Sequence, residues 1–150
     1  ELSQVVKKRN NKLSITAKGK KLITNNHLLF LHILEVFATK FNWGYFDGYE
    51  NEDIGQLGFG FSLILLEKYG SDFKSTNFYS NKYFKAFSFE TDSKNLQTNN
   101  KRAYALRTFD RFLEYFGLVK MTNKSLGETS MVKTTGLFKQ LILVRPHNKM

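Results

Sequence analysis

The chain opens with two short segments of apolar and polar residues on either side of a polar turn, a pattern that predicts a β-hairpin. Residues 5–8 and 13–16 are the predicted strands, and the Asn10-Asn11 pair between them favours a tight turn because Asn tolerates left-handed backbone conformations. Thr16 can then cap a short helix that contains residues 18–23. The chain is therefore predicted to open with a hairpin and a short helix.

Residues 26–41 carry apolar side chains nearly all round a predicted helix, which Asn25 or Asn26 can cap. Leu29, Ile33 and Val36 follow one helical stripe, and leucines fill much of the remaining surface. A helix that is apolar on all sides is normally buried on several sides. We therefore expect this segment to be either the central core helix or a dimerisation helix.

Helical spacing of apolar residues continues through the middle of the chain. Helices are predicted from residue 54 or 57 to Tyr69, over residues 75–87 and over residues 101–116, the last being the clearest amphipathic segment. Residues 91–100 are polar with no apolar period, which predicts a loop.

A second hairpin is predicted after Gly117, which is the expected stop of the preceding helix. Residues 118–122 and 130–134 form its strands, and Thr134 or Thr135 can cap a last helix or strand through residues 138–142. Both basic ends of the chain thus have one plan, a hairpin followed by a threonine-capped turn.

These elements predict a mainly α (α+β) fold, a helical domain with β-hairpin wings. The ending "GLVK…VKTTGLFKQL", a helix ending in Gly-Leu-Val and then a hairpin, resembles the wing of a winged-helix domain and is similar to the ending of many bacterial regulators. We interpret residues 25–150 as a helical domain that ends in a winged-helix-like unit over about residues 57–142. Residues 1–24 are interpreted as the wing of an upstream domain, since the chain begins with Glu1 in what is predicted as a strand.

Four segments together resemble the C-terminal region of uncharacterised bacterial proteins linked to plasmids and mobile elements, some with SEC-C-type neighbours. The resemblance covers most of the chain and implies the order of the fold. It implies no established activity and no catalytic residue. The segments are "LSITAKGKKLI", "NWGYFDGY", "LGFGFSLILLEKYG" and "RTFDRFLEYFGLV".

The formal net charge of +10 on 150 residues is unevenly distributed. Residues 1–24 carry +6, residues 25–100 carry −3 and residues 101–150 carry +7, while 17 of the 23 aromatic residues lie between Phe30 and Phe89. A single-strand binder interleaves aromatic rings with cations, whereas here the two are mostly apart. The rings are therefore expected to form a core, and the two basic flanks are expected to face an anionic partner such as nucleic acid.

The exposed face of the helix predicted over residues 101–116 limits the kind of nucleic-acid contact that we expect. Arg107 and Arg111 stand three residues before Asp110 and Glu114, a spacing that allows salt bridges along a solvated face. We therefore expect contacts to phosphates and not to bases. The expected phosphate contacts are Lys7, Lys8, Arg9, Lys12, Lys18, Lys20 and Lys21 on one flank, and Lys101, Arg102, Lys120, Lys124 and Lys133 on the other.

Catalytic, metal and cofactor chemistry is not predicted. The chain has no Cys, and His27, His32 and His147 lack metal-binding spacing. The acidic run at residues 47–53 lacks the ligand order of an EF-hand loop, and the glycines at 58 and 60 fit no phosphate-binding motif. We expect no enzyme activity, no metal and no cofactor.

The aromatic segment around Asp47 is the candidate pocket, lined by Trp43, Tyr45, Asp47 and Tyr49. Asp47 could accept a hydrogen bond from a buried indole or phenol, or cap the following turn. The alternative to nucleic-acid binding is a protein-interaction module, a homodimer or contact with an upstream domain through the helix at 26–41. No apolar run is long enough for a membrane span, and the absence of Cys favours a cytoplasmic location.

Overall fold

The computed structural model describes residues 2–45, 47–89, 93–122 and 129–144. Lys124 and His147, named above, lie outside the described residues. The chain divides into two compact units, residues 1–42 and residues 43–150. It combines α-helices with small antiparallel sheets, which confirms a mixed α and β composition.

Unit 1, residues 1–42, opens with the predicted hairpin. Strand β1 (Val6–Arg9) pairs antiparallel with β2 (Lys12–Ile15). The turn residues Asn10 and Asn11 have φ angles of 48° and 58°, in the left-handed region that Asn tolerates better than most residues. The hairpin and its turn chemistry are therefore confirmed.

Two helices complete unit 1, α1 (Ala17–Leu22) and α2 (Asn26–Thr39). The Asn25 side chain caps α2 by accepting a hydrogen bond from the backbone of Leu28. Val36 is the one buried residue of α2, and the side chains of Leu28 and Leu31 are exposed. The expectation that α2 is a central core helix is wrong, because its own unit contains only a short hairpin and a six-residue helix with which to cover it.

Unit 2, residues 43–150, holds most of the buried core. Its three strands form one antiparallel sheet in the order β3-β5-β4, so the last strand in sequence lies in the middle. The elements are α3 (Phe59–Tyr69), β3 (Lys74–Ser75), α4 (Thr76–Ala86), α5 (Lys94–Tyr104), a π-helical segment (Ala105–Glu114), β4 (Val119–Thr122), β5 (Met131–Thr134) and α6 (Gly136–Leu141).

Helix α5 begins seven residues before the predicted start of the helix. Residues 94–100 were expected to be a loop, and this prediction is wrong because they form the first two turns of α5. Those turns show no apolar period since nearly all their side chains are exposed. The helix is stabilised at its other end, where Ala103 and Tyr104 are fully buried.

The π-helical segment continues α5 without a break and provides much of the core of unit 2. Three consecutive residues, Arg107, Thr108 and Phe109, are buried in it, together with Phe112 and Leu113. In a π-helix the backbone hydrogen bonds join residues five apart, so each turn is wider than in an α-helix. The wider turn changes which side chains face inward. Arg107 was expected on a solvated face beside Asp110, and that expectation is wrong.

Aromatic rings form the centre of unit 2, as their concentration in the sequence predicted. The ring of Tyr83 stacks on that of Tyr104 with centroids 4.4 Å apart. Phe112 packs against Trp43 and Phe59, each at a centroid distance of 4.8 Å. In the part of the chain that the structure describes, no helix is long and apolar enough to cross a membrane.

Candidate nucleic-acid interface

The register of the β1–β2 hairpin places three cations on one face. Residues directly opposite each other in an antiparallel pair project to the same side, and alternate residues of one strand do so too. Arg9 lies opposite Lys12, and Lys7 lies opposite Ser14. Lys7, Arg9 and Lys12 therefore share one exposed face, which we call the cationic hairpin face.

Like charges face each other across the strands on the cationic hairpin face. Arg9 and Lys12 are like charges in directly opposed positions, an arrangement that destabilises a strand pair. Residues 2–34 contain no Asp or Glu. An anion bound to this face would reduce the repulsion between these cations.

Helix α1 is held close to the start of the hairpin. A Cβ atom added to the buried Gly19 would collide with the carbonyl oxygen of Val5, so glycine permits this approach. Lys18, Lys20 and Lys21 are exposed on α1. Lys20 and Lys21 occupy its last turn, where cations also favour the helix dipole, so part of this charge has a structural role.

Thr16 links the hairpin of unit 1 to α1 through its backbone N–H and its hydroxyl group. Its backbone N–H donates to the carbonyl of Val5 at 3.0 Å, and its hydroxyl donates to the carbonyls of Gln4 at 2.6 Å and Val5 at 3.2 Å. The same hydroxyl accepts from the backbone N–H of Gly19 at 2.9 Å, which caps α1. Gln4 has a left-handed φ of 58°.

Thr135 repeats this arrangement after the β4–β5 hairpin of unit 2. Its N–H donates to the carbonyl of Leu118 at 3.0 Å, and its hydroxyl donates to the carbonyls of Gly117 at 2.7 Å and Leu118 at 3.1 Å. The hydroxyl accepts from the N–H of Phe138 and caps α6. Gly117, with a φ of 70°, takes the place that Gln4 has in unit 1. The shared plan predicted from the sequence is thus present in local detail.

The second hairpin also carries a directly opposed pair of cations. Lys120 on β4 lies opposite Lys133 on β5, so both project to one face of the sheet. Lys120 is exposed, whereas Lys133 is partly covered and its Nζ lies 5.8 Å from the centre of the Phe73 ring. Each hairpin therefore presents one directly opposed pair of cations, although Lys120 and Lys133 correspond in the threonine repeat to Lys7 and Ser14 and not to Arg9 and Lys12.

Helix α5 adds an exposed polar surface that the sequence analysis missed. Its residues 94–104 include no Asp or Glu. Arg102 is exposed, and Lys101 is partly covered. Helix-forming Lys, Gln and Arg in this stretch are the one sequence signal that could have revealed it. The exposed residues of its first turns include Lys94, Asn95, Gln97, Thr98 and Asn99.

The aromatic segment around Asp47 holds a buried ion pair. Arg107 Nε and Nη2 donate to the two carboxylate oxygens of Asp47 at 2.5 Å and 3.0 Å, and both side chains are completely shielded from solvent. Nη1 donates to the carbonyls of Asn51 and Ile54 at 2.6 Å and 3.2 Å. The guanidinium also lies 5.9 Å from the centre of the Tyr49 ring.

The protonation of Asp47 is set by these bonds. Burial alone would raise the pKa of its carboxyl group, but the hydrogen bond from Arg107 and a bond from the N–H of Tyr49 hold that pKa below its ordinary value. Asp47 therefore caps its own turn, one of the two predicted roles. Trp43 is buried and Tyr45 is largely exposed, and a ligand pocket around these four residues stays a prediction.

Comparison of the chain with protein-family models, with curated proteins and with solved structures gives no match.

Proposed function

We propose that this protein is a non-enzymatic, winged-helix-like module that binds nucleic acid through the phosphate backbone. The observation that carries the proposal is the cationic hairpin face, where the register sets Lys7, Arg9 and Lys12 side by side in a stretch without carboxylates. Cations so placed gain free energy by replacing the counterions of a nucleic-acid backbone. The remaining lysines of unit 1, including Lys8 on the opposite hairpin face, would contribute through the general positive field.

The order of elements in unit 2 supports the winged-helix-like part of the proposal. A winged helix has three helices followed by a hairpin, and a short strand after its first helix pairs with the second hairpin strand. Here α3, β3, α4 and α5 precede the β4–β5 hairpin, and β3 pairs with β5. On this interpretation α5 is the third helix, whose N-terminal residues face the groove in this class of fold.

The exposed side chains of that third helix are compatible with nucleic acid. Its first turns present cations and amides, and Asp110 and Glu114 come only in the π-helical segment that follows. Amides and cations are the side chains that pair with base edges and phosphates. The repeated threonine arrangement supports a wing-like role for the first hairpin as well.

Binding to a DNA duplex of about 30 base pairs, measured over a series of salt concentrations, tests the proposal. We expect an affinity that falls steeply as the salt concentration rises. A triple variant with Lys7→Gln, Arg9→Gln and Lys12→Gln should reduce the slope of log affinity against log salt concentration by about 2.7 in magnitude, or about 0.9 per lost phosphate contact. The matched control removes three cations elsewhere, with Lys40→Gln, Lys68→Gln and Lys139→Gln. No retention of duplex at low salt, or equal loss in both variants, would overturn the proposal.

A second candidate function is association of two copies through α2. The exposed leucines Leu28 and Leu31 favour it, since a 14-residue helix with one buried side chain leaves apolar surface uncovered. Light scattering on the chain should then show a dimer that Leu28→Gln with Leu31→Gln converts to a monomer. A monomer at all concentrations would remove this candidate.

A further inference from the structure

A cavity of about 310 Å³ lies between the end of α4 and the first turns of α5. Phe84, Ser88 and Phe89 line it from the side of α4 and the segment that follows it. The rings of Phe84 and Phe89 pack edge to face with centroids 5.6 Å apart, and Phe89 stacks on the buried Tyr83. Its volume is at the small end of the range of ligand pockets, about 300–1,000 Å³.

Three polar side chains of α5 complete the lining, namely Gln97, Asn100 and Lys101. Spacings of three and four residues place them on one side of the helix, and the next residue on that side, Tyr104, is fully buried. The side of a helix that turns toward a neighbouring helix is normally apolar. On this side of α5 the buried aromatic ring of Tyr104 is followed, at the cavity, by two amide groups and an ammonium group.

The polar groups at this cavity have unused hydrogen-bonding capacity. Among the described residues, the side chains of Gln97, Asn100 and Lys101 make no hydrogen bond or ion pair. Lys101 is the one charged side chain in the described lining, and its ammonium group can pair with an anion. Aromatic rings, two amides and one cation converging on a cavity are what a planar ring with an attached anionic group requires.

We propose that this cavity binds a single nucleotide. The base packs against the rings of Phe84 and Phe89, its hydrogen-bonding edge meets the amides of Gln97 and Asn100, and its phosphate pairs with Lys101. Amides can satisfy a base edge by donating and accepting at once. The nucleotide is either a free mononucleotide or an unpaired nucleotide of a strand. Binding of a free mononucleotide does not depend on the proposed binding of duplex.

The test is a titration of the full chain with each of the four 5′-mononucleotides. NMR signals of the backbone amides and of the side-chain amides of Gln97 and Asn100 monitor each titration. We expect saturable shifts at these residues with a Kd of about 1 mM or tighter for at least one base. Lys101→Met and Gln97→Ala should each weaken binding by at least about tenfold. These side chains lie outside the core, and Lys139→Met is the matched control that should leave binding unchanged.

A parallel titration with a single-stranded decanucleotide separates the two sources. Saturable shifts with the strand and none with mononucleotides would assign the cavity to an unpaired nucleotide, whereas equal effects would assign it to free nucleotide. The absence of shifts at Gln97 and Asn100 with either probe, or shifts unaffected by Lys101→Met, would overturn the proposal. The triple hairpin variant should bind mononucleotide normally, so failure of the duplex proposal and failure of this one are distinguishable.

Discussion

Arg107 and Asp47, which are 60 residues apart in the sequence, form a two-point ion pair that is sealed from solvent. The pair joins the π-helical segment to the loop before α3, and the guanidinium also holds the carbonyls of Asn51 and Ile54. A buried ion pair contributes less to stability than its contacts suggest, because both charges lose hydration. Removing one partner is nevertheless costly, since the other charge is left buried alone.

Arg107→Met should therefore lower the free energy of unfolding by about 3–5 kcal/mol. The exposed neighbour Arg111 provides the control, because Arg111→Met is a surface substitution whose effect should stay within about 0.5 kcal/mol. Urea unfolding followed by Trp43 fluorescence measures both. A loss of under about 1 kcal/mol for Arg107→Met would mean that the pair is not buried in solution.

Acid should weaken unit 2 through Asp47. Its pKa is lowered in the folded chain from the ordinary value of 3.8, so the unfolded chain binds the proton more readily. The stability from Asp47 is fully present above pH 3.8 and is lost as the pH falls from there toward the lowered folded pKa. Unfolding free energies measured across this range should fall less steeply in Asp47→Asn than in the parent chain. Identical slopes would contradict the assignment.

Two buried tyrosines of α4 should respond oppositely to loss of the hydroxyl. Tyr79 Oη has no hydrogen-bond partner among the described residues, so Tyr79→Phe removes an unsatisfied group and should stabilise the fold by about 1 kcal/mol. Tyr83 Oη donates to the carbonyl of Leu57 at 2.6 Å and accepts from the N–H of Gly55 at 3.1 Å. Tyr83→Phe should destabilise by about 1–3 kcal/mol. Thermal unfolding compares them, and equal shifts of Tm would refute the distinction.

Two buried tyrosines, Tyr79 and Tyr104, predict a loss of stability in alkali. Burial raises the pKa of Tyr79 from 10.0 to about 12, and burial also raises the pKa of Tyr104. Because the folded pKa lies above the unfolded one, the contribution is complete below pH 10.0 and is lost as the pH rises toward 12. Ultraviolet titration of tyrosinate should show these phenols ionising together with unfolding. Their ionisation in a chain that remains folded would contradict this.

The repeated threonine arrangement predicts how its first position responds to glycine. Gln4 has a φ of 58° where its counterpart Gly117 has 70°, and a left-handed conformation costs a residue with a Cβ about 1 kcal/mol or more. Gln4→Gly should therefore increase hydrogen-exchange protection of the Thr16 amide severalfold, and Gly117→Ala should decrease that of Thr135. Among the described residues, only Leu137 would lie near the added Cβ of Gly117→Ala, at 3.9 Å, so the change mainly tests backbone strain. Unchanged protection in both variants would argue against strain at these positions.

Local sequence patterns predicted the hairpins and helix caps because each depends on residues near in sequence. Asn10 and Asn11 determine a turn by their own conformational range, and Thr16 and Thr135 cap the helices that follow them by accepting from an N–H three residues ahead. The start of α5 could not be predicted from apolar periodicity, since its first turns bury almost nothing. The partner of Asp47 could not be predicted because it lies far along the chain, on a π-helical turn that places a charged side chain among aromatic rings.

The two-residue strand β3 has a consequence for the order in which the protein folds as it is synthesised. Lys74 and Ser75 pair with Val132 and Met131, and α4, α5 and the π-helical segment lie between these partners in the sequence. The β1–β2 hairpin can form as soon as its few residues emerge, because its contacts are local. The sheet of unit 2 cannot form until β5 has been synthesised. Between the synthesis of β3 and that of β5, β3 has no native partner strand. Unit 2 is therefore the part of the nascent chain in which strands have the longest time to mispair.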